Sequence, residues 1–247
     1  MTPRLMLARL RAALARRDTD PLRRFRRRYP NLRGTVFIIT YGRSGSTLLQ
    51  GLLNTAPGSH IGGETFDTLG VLFDATARAT RAHRRWGDEP RAVDHPWFNA
   101  QNIDEVGLER DLALAYAARV ICPPTDATWI GTKEIRYPQR AETLPALVAM
   151  VLRSFPNPVI VFNSRDAGAV AQSRWWASQP EAEVRDLIAR MDGIFAAIAK
   201  DHPERCFHLR HEDTIADPET LRPVFDAMGA EFDVAAIARV LSNRLTH

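Results

Sequence analysis

From residue 34 onward, short apolar runs alternate with longer segments of mixed polarity. The run Val36-Phe37-Ile38-Ile39 reads as a buried strand, and Leu48-Leu49-Gln50-Gly51-Leu52-Leu53 reads as the start of the helix that follows it. The pattern predicts further strands over residues 129–134, 159–163 and 206–210, with a short strand or loop over 59–63. The first strand covers 35–40. Helices are predicted over much of 66–85 and 105–120, and over 141–154, 167–176, 181–200 and 218–228. The Pro- and Trp-containing stretch 88–102 reads as an irregular loop, and Pro156 and Pro158 punctuate the entry to the strand at 159. Strands alternating with helices predict an α/β fold, a three-layer sandwich whose central parallel sheet of about five strands is covered on both faces, in a P-loop NTPase-like arrangement. Ligands in such sheets bind beyond the carboxyl ends of the strands. Three chemically loaded segments fall there: residues 41–47, 133–136 and 165–173.

The segment Thr40-Tyr41-Gly42-Arg43-Ser44-Gly45-Ser46-Thr47 carries most of the information. A strand that turns through Gly and Ser into a helix start presents unpaired amides and the positive end of the helix dipole to one spot. Arg43 adds a permanent positive charge. This is a cradle for a phosphate or sulfate group. A nucleoside-triphosphate loop reads G-x-x-x-x-G-K-[ST]; here Gly45 is followed by Ser46 and Thr47, the cation comes earlier, and no clear acidic strand end supplies a magnesium ligand. The shape is phosphate-binding, without the equipment of a kinase or ATPase.

Composition changes this picture little. With 45% hydrophobic and 25% charged residues, the chain resembles an ordinary soluble globular protein. The net charge is +4, and only Lys133 and Lys200 are lysines. Residues 1–33 form a strongly basic N-terminal segment, set apart from a single domain over 34–247. Leu5, Leu7, Leu10 and Leu14 lie roughly on one helical face among arginines, which suits either a solvated helix or peripheral contact with an anionic membrane. Arg23-Arg24-Phe25-Arg26-Arg27-Arg28 is the kind of patch that can touch nucleic acid, but no base-reading module accompanies it, and no nucleic-acid partner is expected. Cys122 and Cys206 read as two buried free thiols, suited to a reducing compartment. No run reaches the length of a membrane span and no signal-peptide pattern is present, so a cytoplasmic location is expected.

Residues 40–49 resemble the 5′-phosphosulfate loop of the sulfotransferases, whose cytosolic members carry T-Y-P-K-S-G-T-T-W. The alignment has no gap: Arg43 falls on the family's loop lysine, Gly42 replaces its proline and Leu48 its tryptophan. The strand ending in Asn163-Ser164-Arg165-Asp166, with Ser173 eight residues after Arg165, is similar to the family's 3′-phosphate segment. The run from Phe207 through Leu209-Arg210-His211-Glu212-Asp213 to Asp217-Pro218 looks like its L-R-Y-E-D-L-x-x-D-P-E strand and helix cap. The resemblance covers about residues 34–233. A late R-K-G-x-x-G-D-W-K segment of cytosolic members has no counterpart, which leaves its task to another loop or the donor less tightly held.

The resemblance implies transfer of a sulfuryl group from 3′-phosphoadenosine 5′-phosphosulfate to a hydroxyl of a small-molecule, carbohydrate or lipid acceptor, leaving 3′-phosphoadenosine 5′-phosphate. It assigns Arg43, Ser44, Gly45, Ser46 and Thr47 to the 5′-phosphosulfate, and Arg165 and Ser173 to the 3′-phosphate. A sulfuryl group carries less charge than a phosphoryl group, so no metal is obligatory. Glu64, after two glycines, is the leading general base; His60 and Glu134 are the competitors. Lys133, or Arg136 beside it, is expected in the cleft or in a structural salt bridge. Trp86, Trp97, Phe98, Trp175 and Trp176 can line an acceptor pocket or pack the core. The other readings are a P-loop small-molecule kinase and a nucleotide-binding protein without catalysis.

Overall fold

The computed structural model describes residues 21–242, apart from the side chains of Pro21, Leu22, Arg174 and Trp175. Five strands, β1 (Gly34–Thr40), β2 (Ser59–Gly62), β3 (Trp129–Glu134), β4 (Pro158–Ser164) and β5 (Cys206–Arg210), form one parallel sheet in the order β2-β3-β1-β4-β5. The expected α/β sandwich is therefore present. β1 lies at the centre, with β3 on one side and β4 on the other.

The alternation of side chains along each strand divides the interior in two. In β1, Phe37 and Ile39 enter one core, while Val36 and Ile38 enter the other; β4 repeats this with Ile160 and Phe162 against Val159 and Val161. All seven residues of β1 are buried, which is why it reads as an unbroken apolar run. The helices are α1 (Pro21–Arg26), α2 (Ser46–Leu53), α3 (Thr68–Trp86), α4 (Glu105–Tyr116), α5 (Leu144–Ser154), α6 (Ala167–Ala171), α7 (Glu181–Asp201), α8 (His211–Ala216), α9 (Arg222–Met228) and α10 (Val234–Ser242). Core residues of α3, α4, α5 and α7 cover one face; those of α2, α9 and α10 cover the other. In α7, Val184, Ile188, Met191, Phe195 and Ile198 form the buried stripe at three- and four-residue spacing.

The structure departs from the sequence pattern at several points. The helix expected over 167–176 stops at Ala171; Ser173 is extended and a 3₁₀ turn, Arg174–Ser178, follows. Tertiary contacts to the loop after β1, described below, override local propensity there. The helix expected over 218–228 is a 3₁₀ turn, Pro218–Leu221, and then α9, whose second residue is Pro223; proline has no amide to continue a preceding helix. The helix expected to reach residue 120 ends as α at Tyr116 and relaxes into a π turn, Ala117–Ile121. Cys122 lies just past that turn and is exposed, not buried as expected, while Cys206 on β5 is buried. Helices α8 and α10 have no counterpart in the pattern reading. Asp217 does cap the turn at Pro218, accepting from the Glu219 amide at 3.0 Å.

The described part of the basic N-terminal segment is fastened to the domain. Phe25, Tyr29 and Leu32 are buried, Phe25 packs 6.0 Å from Phe155, and Arg24 pairs with Asp111. The amphipathic stretch from Leu5 to Leu14 lies outside the described residues. Among the described residues, no helix is long and apolar enough to cross a membrane.

Candidate active site

All five strands are parallel, so the loops that follow them meet at one edge of the sheet. Tyr41, just past β1, bridges to Arg136, just past β3, and Thr40 is in register with Asn163 of β4. The chain leaves β1 toward β2 and leaves β4 toward β5, in opposite directions across the sheet. The crevice between these two strands is the topological switch point where α/β sheets bind ligands.

Residues 41–45 turn tightly into α2. Arg43 has φ 68° and Gly45 φ 82°, both left-handed. A side chain at Gly45 is excluded twice, by its φ and by the His211 ring, whose Nδ1 would lie 2.2 Å from an added Cβ. The Leu48 and Leu49 amides bond the Gly45 carbonyl, while those of Ser46 and Thr47, at the very start of α2, have no acceptor among the described residues. Beneath it, the Thr40 hydroxyl lies 2.7 Å from Ser44 Oγ and 2.5 Å from the Asn163 carbonyl, while Asn163 Nδ2 donates to the Ser44 carbonyl at 2.7 Å. Ser44 is fully buried in this lattice. Its hydroxyl therefore shapes the loop; Ser46 and Thr47 begin the helix above it.

On the β4–β5 side, Arg43 Nε donates to Ser173 Oγ at 2.9 Å, and Arg165 Nη1 donates to the Arg43 carbonyl at 3.1 Å. The Trp176 indole donates to the Gly42 carbonyl at 3.0 Å. Arg43 thus meets Arg165 and Ser173, both more than a hundred positions away in sequence, at one point. Arg165 Nε is buried and makes no hydrogen bond among the described residues; Glu212 Oε1 stands 3.9 Å from it. A buried guanidinium donor left open beside an amide-lined loop fits an anionic ligand. The Tyr41 hydroxyl accepts from the Arg165 amide at 3.0 Å and stands 3.2 Å from Asp192 Oδ1 of α7. Burial pushes the Asp192 carboxyl up to about 6, against the Tyr41 hydrogen bond and Arg210, which favour its charged form. Burial, with the nearby Arg165 charge, holds His211 below its ordinary value, so the ring against Gly45 is neutral near pH 7.

On the β2–β3 side, Lys133 Nζ donates to Glu64 Oε1 at 2.7 Å and Arg136 Nη1 reaches Glu64 Oε2 at 3.2 Å. Lys133 is buried at the end of β3, whereas the Glu64 side chain is about one-third exposed. Of the two alternatives for Lys133, the structure shows the salt bridge, with Glu64 as its partner. Glu134, the other carboxylate candidate, has both of its oxygens occupied. Its Oε2 accepts from the amides of Thr65 (3.1 Å) and Asp67 (2.8 Å), and its Oε1 from the amides of Ile135 (2.8 Å) and Arg136 (3.2 Å) and from Arg136 Nη1 (2.9 Å). Burial raises its pKa, but these bonds outweigh it and hold the carboxyl below its ordinary value. His60 sits inside β2 opposite Ile130, short of the edge where the other residues gather.

The turn that Glu134 grips contains Phe66 (φ 56°) and Asp67 (φ 61°), two consecutive non-glycine residues in the left-handed region. Such residues cost about 1–3 kcal/mol each and persist where the surroundings fix them. Phe66 was not among the aromatics singled out from sequence, and no local signal marks it; only the turn's hold on Glu134 brings it here. The aromatics that were singled out disperse. Trp86 stacks on Trp97 at 5.7 Å at the far end of α3, about 27 Å along the helix from its start at 1.5 Å per residue. Phe98 is exposed in the loop that follows Trp97, Trp176 supports the donor loop, and the side chain of Trp175 is outside the described residues. A groove of about 580 Å³ lined by Arg81, Arg84 and Arg153 between α3 and α5 lies on the helical layer, away from this edge.

A P-loop-like α/β sheet with an anion cradle at its central strand and a cationic crevice beside it defines a group-transfer class of protein. Residues 35–234 match the Sulfotransferase family, and the chain belongs to that family. Among solved structures it is similar to a thymidylate kinase from Candida albicans (13% identity, 81% of this chain and 95% of that one, TM-score 0.41) and to the sulfotransferase STF1 from Mycobacterium tuberculosis (14% identity, 88% and 74%, TM-score 0.41). At those values the likenesses are loose, and the family match makes the assignment. No curated protein matches the chain significantly.

Proposed function

We propose that this sulfotransferase takes its sulfuryl group from 3′-phosphoadenosine 5′-phosphosulfate and delivers it to a hydroxyl of a small-molecule, carbohydrate or lipid acceptor. The observation that carries the reading is the contact of Arg43 with Ser173 at 2.9 Å, with Arg165 bonded to the Arg43 carbonyl. It joins a 5′-anion cradle to a second cationic site, which suits a nucleotide bearing anionic groups at both positions.

In this reading the amides of residues 44–47 and the hydroxyls of Ser46 and Thr47 hold the 5′-phosphosulfate, and Arg165 with Ser173 holds the 3′-phosphate. Arg43 keeps its Nη donors for the oxygen between phosphorus and sulfur, where charge develops as that S–O bond breaks. Glu64 accepts the proton from the acceptor hydroxyl as its oxygen bonds to sulfur. Lys133 and Arg136, which neutralise Glu64 beforehand, pass their attraction to the transferring group as Glu64 becomes neutral. The chemistry is then mostly positioning and electrostatics, as in phosphoryl transfer. The basic N-terminal segment adds a candidate contact with anionic membrane, and the cytoplasm is the compartment we favour.

Thermal-shift titration tests this reading. 3′-Phosphoadenosine 5′-phosphate is expected to stabilise the protein without magnesium. A response to ATP with magnesium alone sinks the donor assignment.

A further inference from the structure

We propose that Phe66 is the stacking platform of the acceptor subsite, and that the acceptor carries its hydroxyl on or beside a ring with a flat apolar face. The inference rests on the sulfotransferase reading and adds a substrate class to it.

A single exposed aromatic residue on a surface needs no explanation. Phe66 differs in three respects. It is 78% exposed while its backbone is left-handed, a conformation disfavoured for a bulky residue. The residues on both sides of it are tied down, because the Thr65 and Asp67 amides donate to the same oxygen of buried Glu134. Its ring has one face already occupied: the Arg136 guanidinium lies 4.1 Å from the ring centroid, and the same guanidinium bonds Glu64 Oε2 at 3.2 Å. The turn thus holds an aromatic ring at the rim, backs it with a cation, and couples that cation to the proposed base. A cation on one face leaves the other for a ring partner, an arrangement stabilised by stacking and by CH contacts with the π face. Chain flexibility works against a linear acceptor here, since an alkyl chain must lose rotamer freedom to lie flat on the ring.

The test uses the full chain saturated with 3′-phosphoadenosine 5′-phosphate, and three hydroxyl probes: a naphthol, a methyl pyranoside and hexanol. Acceptor binding is read by titration calorimetry, and KM with the sulfated donor. Wild type is expected to bind at least one ring probe more tightly than hexanol, and the naphthol and pyranoside arms tell which ring the site prefers. Phe66→Ala weakens that ring probe by about 3- to 10-fold and leaves hexanol unchanged. Phe66→Trp retains ring binding, and Phe66→Leu, apolar but not flat, falls between. Nucleotide binding unchanged across the three variants shows that the fold and donor site are intact. Equal effects on ring and linear probes, or none on either, overturn the platform while leaving the sulfotransferase reading in place. Absence of nucleotide binding in wild type removes that reading instead, and the platform with it.

Discussion

The two flanks of the central strand are built in different ways. On the β4–β5 side, the donor loop rests on sheet hydrogen bonds and a buried lattice of Thr40, Ser44 and Asn163, with uncharged groups doing most of the holding. On the β2–β3 side, a half-open turn is held by ions: Glu134 grips the backbone of Thr65, Asp67, Ile135 and Arg136, and Glu64 sits between Lys133 and Arg136. Neutral buried hydrogen bonds fix geometry at little electrostatic risk, which suits a site that meets the same nucleotide in every turnover. Ion pairs can exchange partners as charge moves during reaction. In the proposed reading, the difference puts donor recognition on one flank and the moving proton on the other.

The comparison breaks most visibly at Glu64. Glu64→Gln keeps the shape of the side chain and removes its ability to take a proton. Turnover is expected to fall by about 10²- to 10⁴-fold, with the Kd of 3′-phosphoadenosine 5′-phosphate unchanged in the same preparation. If nucleotide affinity drops in step with turnover, Glu64 is a structural part of the donor side and the two flanks are not separate. Arg43→Ala gives the contrasting pattern. It is expected to cost about 10²- to 10³-fold in turnover, as loss of one donor to developing charge does, and to weaken nucleotide binding as well, because Arg43 also anchors Ser173. Single-turnover rates and equilibrium titration on both variants separate the patterns.

The same division explains what the sequence reveals. Residues 40–49, 129–134 and 206–210 are legible because their information is local: an apolar run, a turn through Gly45, a helix start. Arg165 and Ser173 are legible through spacing and family likeness, although the break in the helix before Ser173 is not, since it depends on Arg43 and Trp176 reaching across from other segments. The β2–β3 flank is hardest to read. Glu64 meets Lys133 across 69 positions, and Glu134 binds the Asp67 amide across 67. No periodicity encodes a buried carboxylate that folds a distant turn, so Glu134 reads as a candidate base and Phe66 goes unnoticed. The dispersed tryptophans mislead for the opposite reason: residue type suggests a pocket, but Trp86 and Trp97 find each other at the far end of α3.

A smaller effect sharpens the donor side. The Tyr41 hydroxyl accepts from the Arg165 amide, and among the described residues its hydrogen-bond partners are Arg165 and Asp192, both outside the other flank. Tyr41→Phe removes this bond and leaves the aromatic ring in the core. Loss of the neutral bond to the Arg165 amide predicts a rise of about 2- to 12-fold in nucleotide Kd, with acceptor KM unmoved, and the contact with Asp192 is lost with it. A shift in acceptor KM of the same size shows that the flanks communicate through Tyr41, whose backbone bridges to Arg136.

The smallest effect concerns protons and again distinguishes the flanks. Asp192, behind the donor loop, has its pKa raised by burial from 3.8 to about 6, whereas Glu134 is held below 4.5 by its amide donors despite burial. Between about pH 7 and 5, Asp192 takes up a proton and Glu134 does not. In that window the folded state binds a proton that the unfolded carboxyl does not yet bind, so Asp192 makes stability rise as pH falls from 7 toward 4 and decline as pH rises through 6. Asp192→Asn is neutral throughout, so its advantage in Tm over wild type is expected to be largest at pH 7 and to shrink by pH 5. Nucleotide affinity follows the same course, since neutralising Asp192 removes a negative charge behind the donor loop, against Tyr41; comparing wild type with Asp192→Asn cancels the titration of the nucleotide's own phosphates. Acceptor KM for the two proteins stays parallel across this range, because Glu134, which holds the Phe66 turn, is the same in both and its carboxyl is held below its ordinary value. Parallel Tm curves from pH 7 to 5 mean that Asp192 does not titrate in this window, and that Tyr41 rests on a permanent charge instead of a switchable one.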